Sequence, residues 1–427
     1  MPERVLVVGS GGREHALVRA LMRSPQAPEL LATPGSPGLA HDGVEGLGIS
    51  AGDLNGIVAA ARARAVDFVV IGPEAPLVRG LVDMLGAAGI RAFGPSGPAA
   101  RVEGSKAFAK ELMRDAGVPT ASHMLLRSRE EALAQLPCAS YPAVLKADVL
   151  AAGKGVIIAE TEAEAREAVE VFFGERRFGQ TTVVLEEFLE GEELSLFALC
   201  DGVRAIPMTP AQDYKRIFDD DRGPNTGGMG SYSPVPGIDE DVVASIAETV
   251  HQPIVDELRR RATPFHGVLY AGLMMTAAGP RTLEFNARFG DPETQAILPR
   301  LRSDVLELLD RSARPGGLEG AAIEWSPDWA VTVVLASQGY PEASSSGDVI
   351  RGIEDAEAAG AEVTHAGTTV EGPHLVTAGG RVLNVTALGS SPAEARERAY
   401  EAAARIDFPG MQMRTDIAAR AVERVGA

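Results

Sequence analysis

In the run Leu283-Glu284-Phe285-Asn286-Ala287-Arg288 a carboxylate and an amide oxygen stand two residues apart. On a strand, positions i and i+2 share a face, so Glu284 and Asn286 point one way and Phe285 the other. Two such oxygens suit a hard cation such as Mg²⁺, which keeps phosphate oxygens and water as its remaining ligands. Arg288 follows on the same parity if the strand continues, and offers a planar fork to a carboxylate or a phosphate. Alone, a Glu-x-Asn pair is common and mostly structural.

Three further stretches carry comparable chemistry. Lys146-Ala147-Asp148-Val149-Leu150-Ala151-Ala152-Gly153-Lys154-Gly155 puts a strand lysine before a small-residue turn with a second lysine. It is not a P-loop, yet backbone donors and two cations can surround a polyphosphate; an exposed turn with solvated lysines is the plainer alternative. In Val183–Ser195 an apolar strand ends among five glutamates around Phe188-Leu189. Solvated acids explain such clusters in general, but a strand exit here offers backbone groups to a purine edge, and Glu193 a carboxylate to ribose hydroxyls. Asp213-Tyr214-Lys215-Arg216 precedes Gly223-Pro224-Asn225-Thr226-Gly227-Gly228-Met229-Gly230, a loop with four glycines in eight residues. Such density costs folding entropy, and we read it as a loop that closes on a ligand.

At the N-terminus, Gly9-Ser10-Gly11-Gly12-Arg13-Glu14-His15 follows a short apolar run and opens a helix pattern. A dinucleotide fingerprint needs a third glycine where Glu14 stands, which argues against a nicotinamide or flavin oxidoreductase. Glycines before a helix N-terminus still suit an anion; a tight turn with no ligand is the alternative, and His15 reads equally as packing residue or ligand contact.

The elements that must position these groups follow from the apolar pattern. Arg4–Gly9, Asp67–Gly72 and Ile90–Gly94 alternate with helical stretches, which implies a doubly wound parallel sheet with ligands at the carboxyl ends of the strands. A helix runs from Ser105, its N-cap, to about Ala116 and closes at Gly117-Val118-Pro119. Strands Ala143–Ala147, Val156–Ala159 and Thr182–Phe188 with a helix from Glu162 form a small α+β module. A larger α/β block follows. Ala313–Ser326 reads as a linker, before a last region with strands Ala330–Ala336 and Arg381–Leu388 and a helix from Pro392. The 427 residues allow two to four domains. The formal charge of −19 disfavours nucleic acid and anionic membrane as partners, so positive potential for an anionic ligand must be built locally. Two cysteines make no disulfide framework, and no secretory segment or membrane span is legible, which points to the cytoplasm.

The order of the stretches is more specific than any one of them. Lysine strand with glycine turn, acidic strand exit, then Glu-x-Asn strand resembles the running order of the ATP-grasp superfamily. GSGGREHA, GPEAPLVRG, GSKAFAK, KAD-x-LAAGKGV, LEEFLEGEE, GPNTGGMG, LYAGLM, EFNARFGDPET and GDVI together resemble the phosphoribosylamine–glycine ligase (glycinamide ribonucleotide synthetase) family over almost the whole chain.

That resemblance implies an α/β multidomain ATP-grasp fold. Residues 1–104 would form an N-terminal doubly wound domain, 105–118 and 191–325 a central α+β domain, 119–190 a lid, and 326–427 a C-terminal α/β domain. It implies ligation of glycine to 5-phosphoribosylamine with ATP cleavage to ADP and phosphate, through glycyl phosphate, in purine biosynthesis. Lys106 and Lys146 would meet ATP phosphates, with Gly153, Lys154 and Gly155 covering them. Glu186, Glu187, Phe188 and Leu189 would frame adenine, and Glu193 would hold ribose. Glu284 and Asn286 would bind Mg²⁺ or Mn²⁺. Gly9, Gly11, Gly12, Gly72, Pro73, Glu74, Gly227 and Gly228 would face the acceptor. Asp213, Lys215, Arg288 and Asp291, with Lys146, would serve acyl transfer. Partners would be these small molecules, with transient contact to neighbouring pathway enzymes left open. Three positions depart from the family pattern: Val149 replaces glycine, Tyr214 a common histidine, and Gly272 an acid that is often a further metal ligand. A different ATP-grasp ligase or carboxylase and a non-catalytic nucleotide sensor are the rival readings.

Overall fold

The computed structural model describes residues 1–150 and 155–426. Gly153 and Lys154 of the expected phosphate cover lie outside the described residues.

The N-terminal region is a five-stranded parallel sheet in the order Glu45–Gly46, Glu29–Pro34, Arg4–Gly9, Phe68–Ile71, Arg91–Phe93. Val5 to Val8 and Phe68 to Ile71 are buried on both faces, as apolar runs flanked by helices require. Strand order reverses between Arg4–Gly9 and Phe68–Ile71, so the crevice favoured by ligands opens above Gly9 and Ile71.

The helix Lys106–Ala116 leads out of this region. Ser105 Oγ accepts the Phe108 N–H at 3.1 Å, and Gly117 closes the helix at φ +69°. The small module that follows is a four-stranded antiparallel sheet ordered His123–Leu126, Val183–Glu187, Ala143–Ala147, Val156–Ala159. Its helices Arg129–Gln135 and Glu162–Val169 cover a core of its own that includes Leu145, Phe172 and Leu185.

The central sheet is antiparallel: Ala205–Pro207, Glu192–Asp201, His266–Thr276, Gly279–Asn286. It meets the small module at a parallel bridge from Thr120 to Thr282, where the Thr282 N–H reaches the Pro119 carbonyl at 2.8 Å. A second five-stranded sheet is ordered Gln212–Asp213, Gly230–Ser233, Trp329–Ala336, Arg381–Gly389, Glu362–His365. Its first two strands come from sequence expected in the central domain, so the polypeptide interleaves across residue 325. The stretch read as a linker is packed down: Leu318 is fully buried and its N–H donates to Asp201 Oδ2 at 2.9 Å. Among the described residues no helix is long and apolar enough to cross a membrane.

Candidate active site

Above the switch point of the N-terminal sheet the structure places a side chain. Glu14, 3% exposed, accepts the Gly11 N–H at 2.8 Å and the Arg13 Nε–H at 2.6 Å. A Cβ at Gly9 would come within 2.4 Å of Glu14 Cγ, and one at Gly72 within 2.0 Å of Glu14 Oε1. The glycines therefore make room for Glu14 rather than for a dinucleotide. Pro73 precedes the short helix that Glu74 opens, and Glu74 points its carboxylate toward Arg288. His15 turns away from this crevice: its Nδ1 accepts the His365 N–H at 2.9 Å and its Nε2 meets Asp42. It is a packing residue that ties the N-terminal helix to the C-terminal sheet.

On the nucleotide side, Lys146 leaves the strand Ala143–Ala147 and donates to Glu186 Oε2 at 3.0 Å and to the Leu283 carbonyl at 3.3 Å. Lys110, one turn after Lys106, sits 3.1 Å from the same Glu186 oxygen and donates to Thr120 Oγ1 at 2.7 Å. Burial pushes the Lys110 ammonium down to about 8, against the pull of Glu186. The second Glu186 oxygen is buried with no hydrogen-bond partner among the described residues. Lys106 donates to the Val149 carbonyl at 3.0 Å. Asp148 takes the Ser105 hydroxyl at 2.9 Å and the Ala107 N–H at 3.1 Å, so the module docks on the helix N-terminus through a carboxylate. Gly155 closes the turn by accepting the Ala147 N–H at 2.8 Å. Beyond Glu186, Glu187 is spent on the Ser122 N–H at 2.8 Å, while Phe188 stays 38% exposed at the strand exit beside half-buried Leu189.

Directly beside this group runs the strand Gly279–Asn286, whose Leu283 carbonyl Lys146 reaches. Phe285 enters the core, as alternation requires. Glu284 is open to solvent on the face opposite Phe285. Burial works to raise its pKa, but Lys215, Lys146, Lys106 and Arg288 prevail and hold it below the ordinary carboxylate value. Arg288, just past the strand, donates to Asn286 Oδ1 at 3.1 Å and pairs with Glu103 Oε1 at 2.9 Å. Glu103 also accepts the Ala287 N–H at 2.7 Å. Glu74 lies 3.6 Å from Arg288 Nε, and that nitrogen has no hydrogen-bond partner among the described residues. Gly272 pairs with Glu284 across the ladder, where a Cβ would be 3.5 Å from Glu284 Cγ. An acid there would lie beside Glu284.

Lys215 joins the third group. It pairs with Glu193 Oε2 and lies 3.9 Å from Asp213 Oδ1. Burial pushes the Asp213 carboxyl up to about 7; Lys215 opposes this, while Glu293 and Glu193 add to it. Lys215 stays charged: burial works against it, but Asp213 and Glu193 hold its pKa well above the ordinary value. Glu293, 3% exposed, accepts Tyr270 Oη–H at 2.7 Å and Ser195 Oγ–H at 3.2 Å beneath the cluster. Tyr214 points the other way, its hydroxyl taking the Ala418 N–H at 3.0 Å, so a histidine's absence there leaves the cleft unchanged. Asp291 accepts from Gln295 Nε2 at 2.8 Å and lies 3.4 Å from Arg381 Nη2. Burial pushes its pKa up, yet Arg381 and Arg13 hold it below the usual carboxylate range. Gly228 lies against the Asp291 loop, close to Pro292, and Gly227 lies against Arg381.

The structure thus gathers Lys106, Lys146, Glu186, Glu193, Lys215, Glu284, Asn286 and Arg288 around one cleft. Sequence reasoning passed over Lys110, Glu103 and Glu293. Lys110 carried a signal in its spacing of four from Lys106 on one helix face, and Glu293 lies inside a stretch already singled out. Glu103 carried none.

Models of the phosphoribosylglycinamide synthetase N domain, ATP-grasp (A) domain and C domain match residues 3–103, 104–294 and 330–420. The chain belongs to this family. A phosphoribosylamine–glycine ligase of Streptomyces coelicolor is 49% identical over 421 residues, 98% of this chain and 99% of that protein. One of Mesorhizobium japonicum is 46% identical over 422 residues, with 98% and 99% covered. The crystal structure of the Thermotoga maritima phosphoribosylamine–glycine ligase superposes with a TM-score of 0.84 at 35% identity, covering 97% of this chain and 100% of that one. Biotin carboxylase from Campylobacter jejuni, at 16% identity and a TM-score of 0.73, shares the fold. The doubly wound N-terminal sheet and the ATP-grasp pair of sheets expected from sequence are therefore those of the synthetase family.

Proposed function

We propose that this chain joins glycine to 5-phosphoribosylamine with cleavage of ATP to ADP and phosphate, giving glycinamide ribonucleotide for purine biosynthesis. The observation that carries the reading is the convergence of four cations on one open carboxylate, Glu284, in a chain of net charge −19. The reaction demands such a site. A glycine carboxylate must approach a triphosphate, and two unit negative charges ~4 Å apart repel by about 1 kcal/mol in water and about 4 at an effective dielectric of 20.

In this reading Lys146 and Lys106 hold the ATP phosphates, and Phe188 and Leu189 border the adenine beside the strand exit. Glu193 exchanges its partner Lys215 for ribose hydroxyls. A magnesium or manganese ion fits the residues present: Glu284 is ionised and open, and Asn286 offers an oxygen on the same strand. When bound, such an ion neutralises charge on the polyphosphate. Lys215 and Arg288 line the path of the carboxylate as it attacks the γ-phosphorus. Asp213 takes the proton that the amine sheds when it attacks the acyl carbon and expels phosphate. Gly9, Gly11, Gly12, Gly72 and the Glu74 loop form the far wall, toward the phosphoribosyl group. No protein nucleophile is required. The acyl phosphate must be kept from water, a task for the module of residues 119–190 acting as a lid. An unstable amine substrate also favours brief contact with the enzyme that makes it.

The test is ADP release in a coupled assay. Release that needs glycine and 5-phosphoribosylamine together is expected. Release indifferent to 5-phosphoribosylamine would point to another acceptor, and ATP binding without turnover to a sensor.

A further inference from the structure

The C-terminal region carries no motif that reads as chemistry, yet two of its side chains reach the site. Arg381, at the start of the strand Arg381–Gly389, donates from Nη1 to the Gly227 carbonyl and to the Asp291 carbonyl, both at 2.7 Å. Its Nη2 lies 3.4 Å from Asp291 Oδ2. The Tyr340 hydroxyl accepts the Gly227 N–H at 3.0 Å. One residue of the glycine-rich loop is therefore gripped at both its N–H and its carbonyl by the C-terminal region, and one guanidinium pins it to the Asp291 loop. Charge-assisted bonds of this kind are the stronger class, and the planar fork fixes direction as well as distance.

The grip extends inward. Next to Gly227, Thr226 donates its N–H to the Lys215 carbonyl at 2.7 Å and its hydroxyl to the same oxygen at 2.8 Å. The chain of contacts Asp291–Arg381–Gly227–Thr226–Lys215 thus spans the acceptor half of the cleft. Tyr340 is itself held: its ring packs with Ile217, Met229, Val334 and Ala336. The ring also lies over Gly380, where a Cβ would come within 2.2 Å of Tyr340 Cδ2. Only glycine permits that approach.

We infer that Arg381 and Tyr340 are positioning residues of the C-terminal region, which set the distance between Lys215 and Asp291 by clamping the Gly227 peptide. The inference rests on the proposed reaction, because it assigns both clamped groups to acyl transfer. Among the described residues the clamp makes no contact with Lys146 or Glu186 and holds Lys215 by its backbone carbonyl, away from the ammonium that meets Glu193, so nucleotide affinity falls far less than rate.

The experiment measures kcat, KM for glycine and for 5-phosphoribosylamine, and MgADP affinity by calorimetry, for wild type, Arg381→Ala, Arg381→Lys and Tyr340→Phe. Loss of one preorganised charged group predicts a kcat about 30- to 100-fold lower in Arg381→Ala, with MgADP affinity within about twofold of wild type. Arg381→Lys, which keeps charge but reaches one acceptor instead of three, is expected to lose roughly tenfold. Tyr340→Phe removes one neutral hydrogen bond and loses about threefold to tenfold. Millimolar guanidinium restores part of the Arg381→Ala rate. A kcat within threefold of wild type in Arg381→Lys and Tyr340→Phe overturns the inference, and so does a loss of MgADP affinity that matches the loss of rate. Should Arg381→Ala not fold, the two milder variants decide. Absence of glycine-dependent and 5-phosphoribosylamine-dependent ADP release in wild type refutes the reaction assignment instead, and is read separately from the ratio of variants.

Discussion

Glu186 and Glu284 both stand at the ends of strands that deliver them to the same cleft. Glu186 is 2% exposed at its side chain and shares one oxygen between Lys146 and Lys110, themselves 10% and 3% exposed. Glu284 faces solvent, with its four cations near enough to keep it ionised. The difference is one of desolvation. A carboxylate dried between two lysines is a structural lock, since removing it leaves buried charge uncompensated. A carboxylate left wet among cations is available to a ligand, because binding need only displace water.

The comparison predicts opposite effects of the same substitution. Glu186→Ala strands two buried ammonium groups, and breaking such a pair costs about 3–5 kcal/mol. A large fall in the urea unfolding midpoint of the lid is expected, together with weakened ADP binding. A midpoint near wild type would mean that water reaches Lys110 and that the lock is not dry. Glu284→Ala should do the reverse: the unfolding midpoint stays close to wild type while turnover falls at least about a hundredfold, the scale of losing one major electrostatic stabiliser. Retained turnover would remove Glu284 from the metal role.

Which glutamate is the lock was not legible in the sequence. Glu284 read as an acid on a strand face and Glu186 as one at a strand exit, and Glu186 looked more solvated because Glu187, Glu190, Glu192 and Glu193 surround it. Its partner Lys110 sits on a helix that reads as amphipathic and charged, and only tertiary packing turns that side chain inward. Local signals fared better. Ser105 and Gly117 fixed the helix Lys106–Ala116 because capping is a property of neighbours in sequence. Glu14 argued against a dinucleotide turn from sequence alone, but that its own carboxylate covers the crevice depends on Gly72, far along the chain. Pairing of Gly230–Ser233 with Trp329–Ala336 is likewise non-local, and so the interleaved sheet was missed.

Asp213 differs from both Glu186 and Glu284, for it is dried like Glu186 but not locked. Burial raises its pKa to about 7, with Lys215 opposing. In the unfolded chain the group titrates near 3.8. Between those values the folded state binds more protons, so this group's contribution to stability declines as pH rises through that window. The ionised form is the one that can accept a proton from the amine. Turnover should therefore climb as pH passes about 7, and Asp213→Asn should lower it about tenfold and flatten that limb. A pH profile unchanged by Asp213→Asn would assign the limb to another group.

The smallest effect concerns the lid turn. Val149 is half-buried against the core of the small module, and its carbonyl takes the Lys106 ammonium at 3.0 Å. That bond uses the backbone, so it survives Val149→Gly, and Lys106 keeps its place. What changes is the freedom of the turn: glycine in place of a β-branched residue costs about 0.5–1 kcal/mol of ordering. Hydrogen exchange at Asp148 and Val149 should quicken in the free enzyme by about threefold, with turnover changed by less than that. If turnover instead rose or fell tenfold, lid motion would limit the reaction, and the wet carboxylate at Glu284 would no longer be the place where the largest barrier is met.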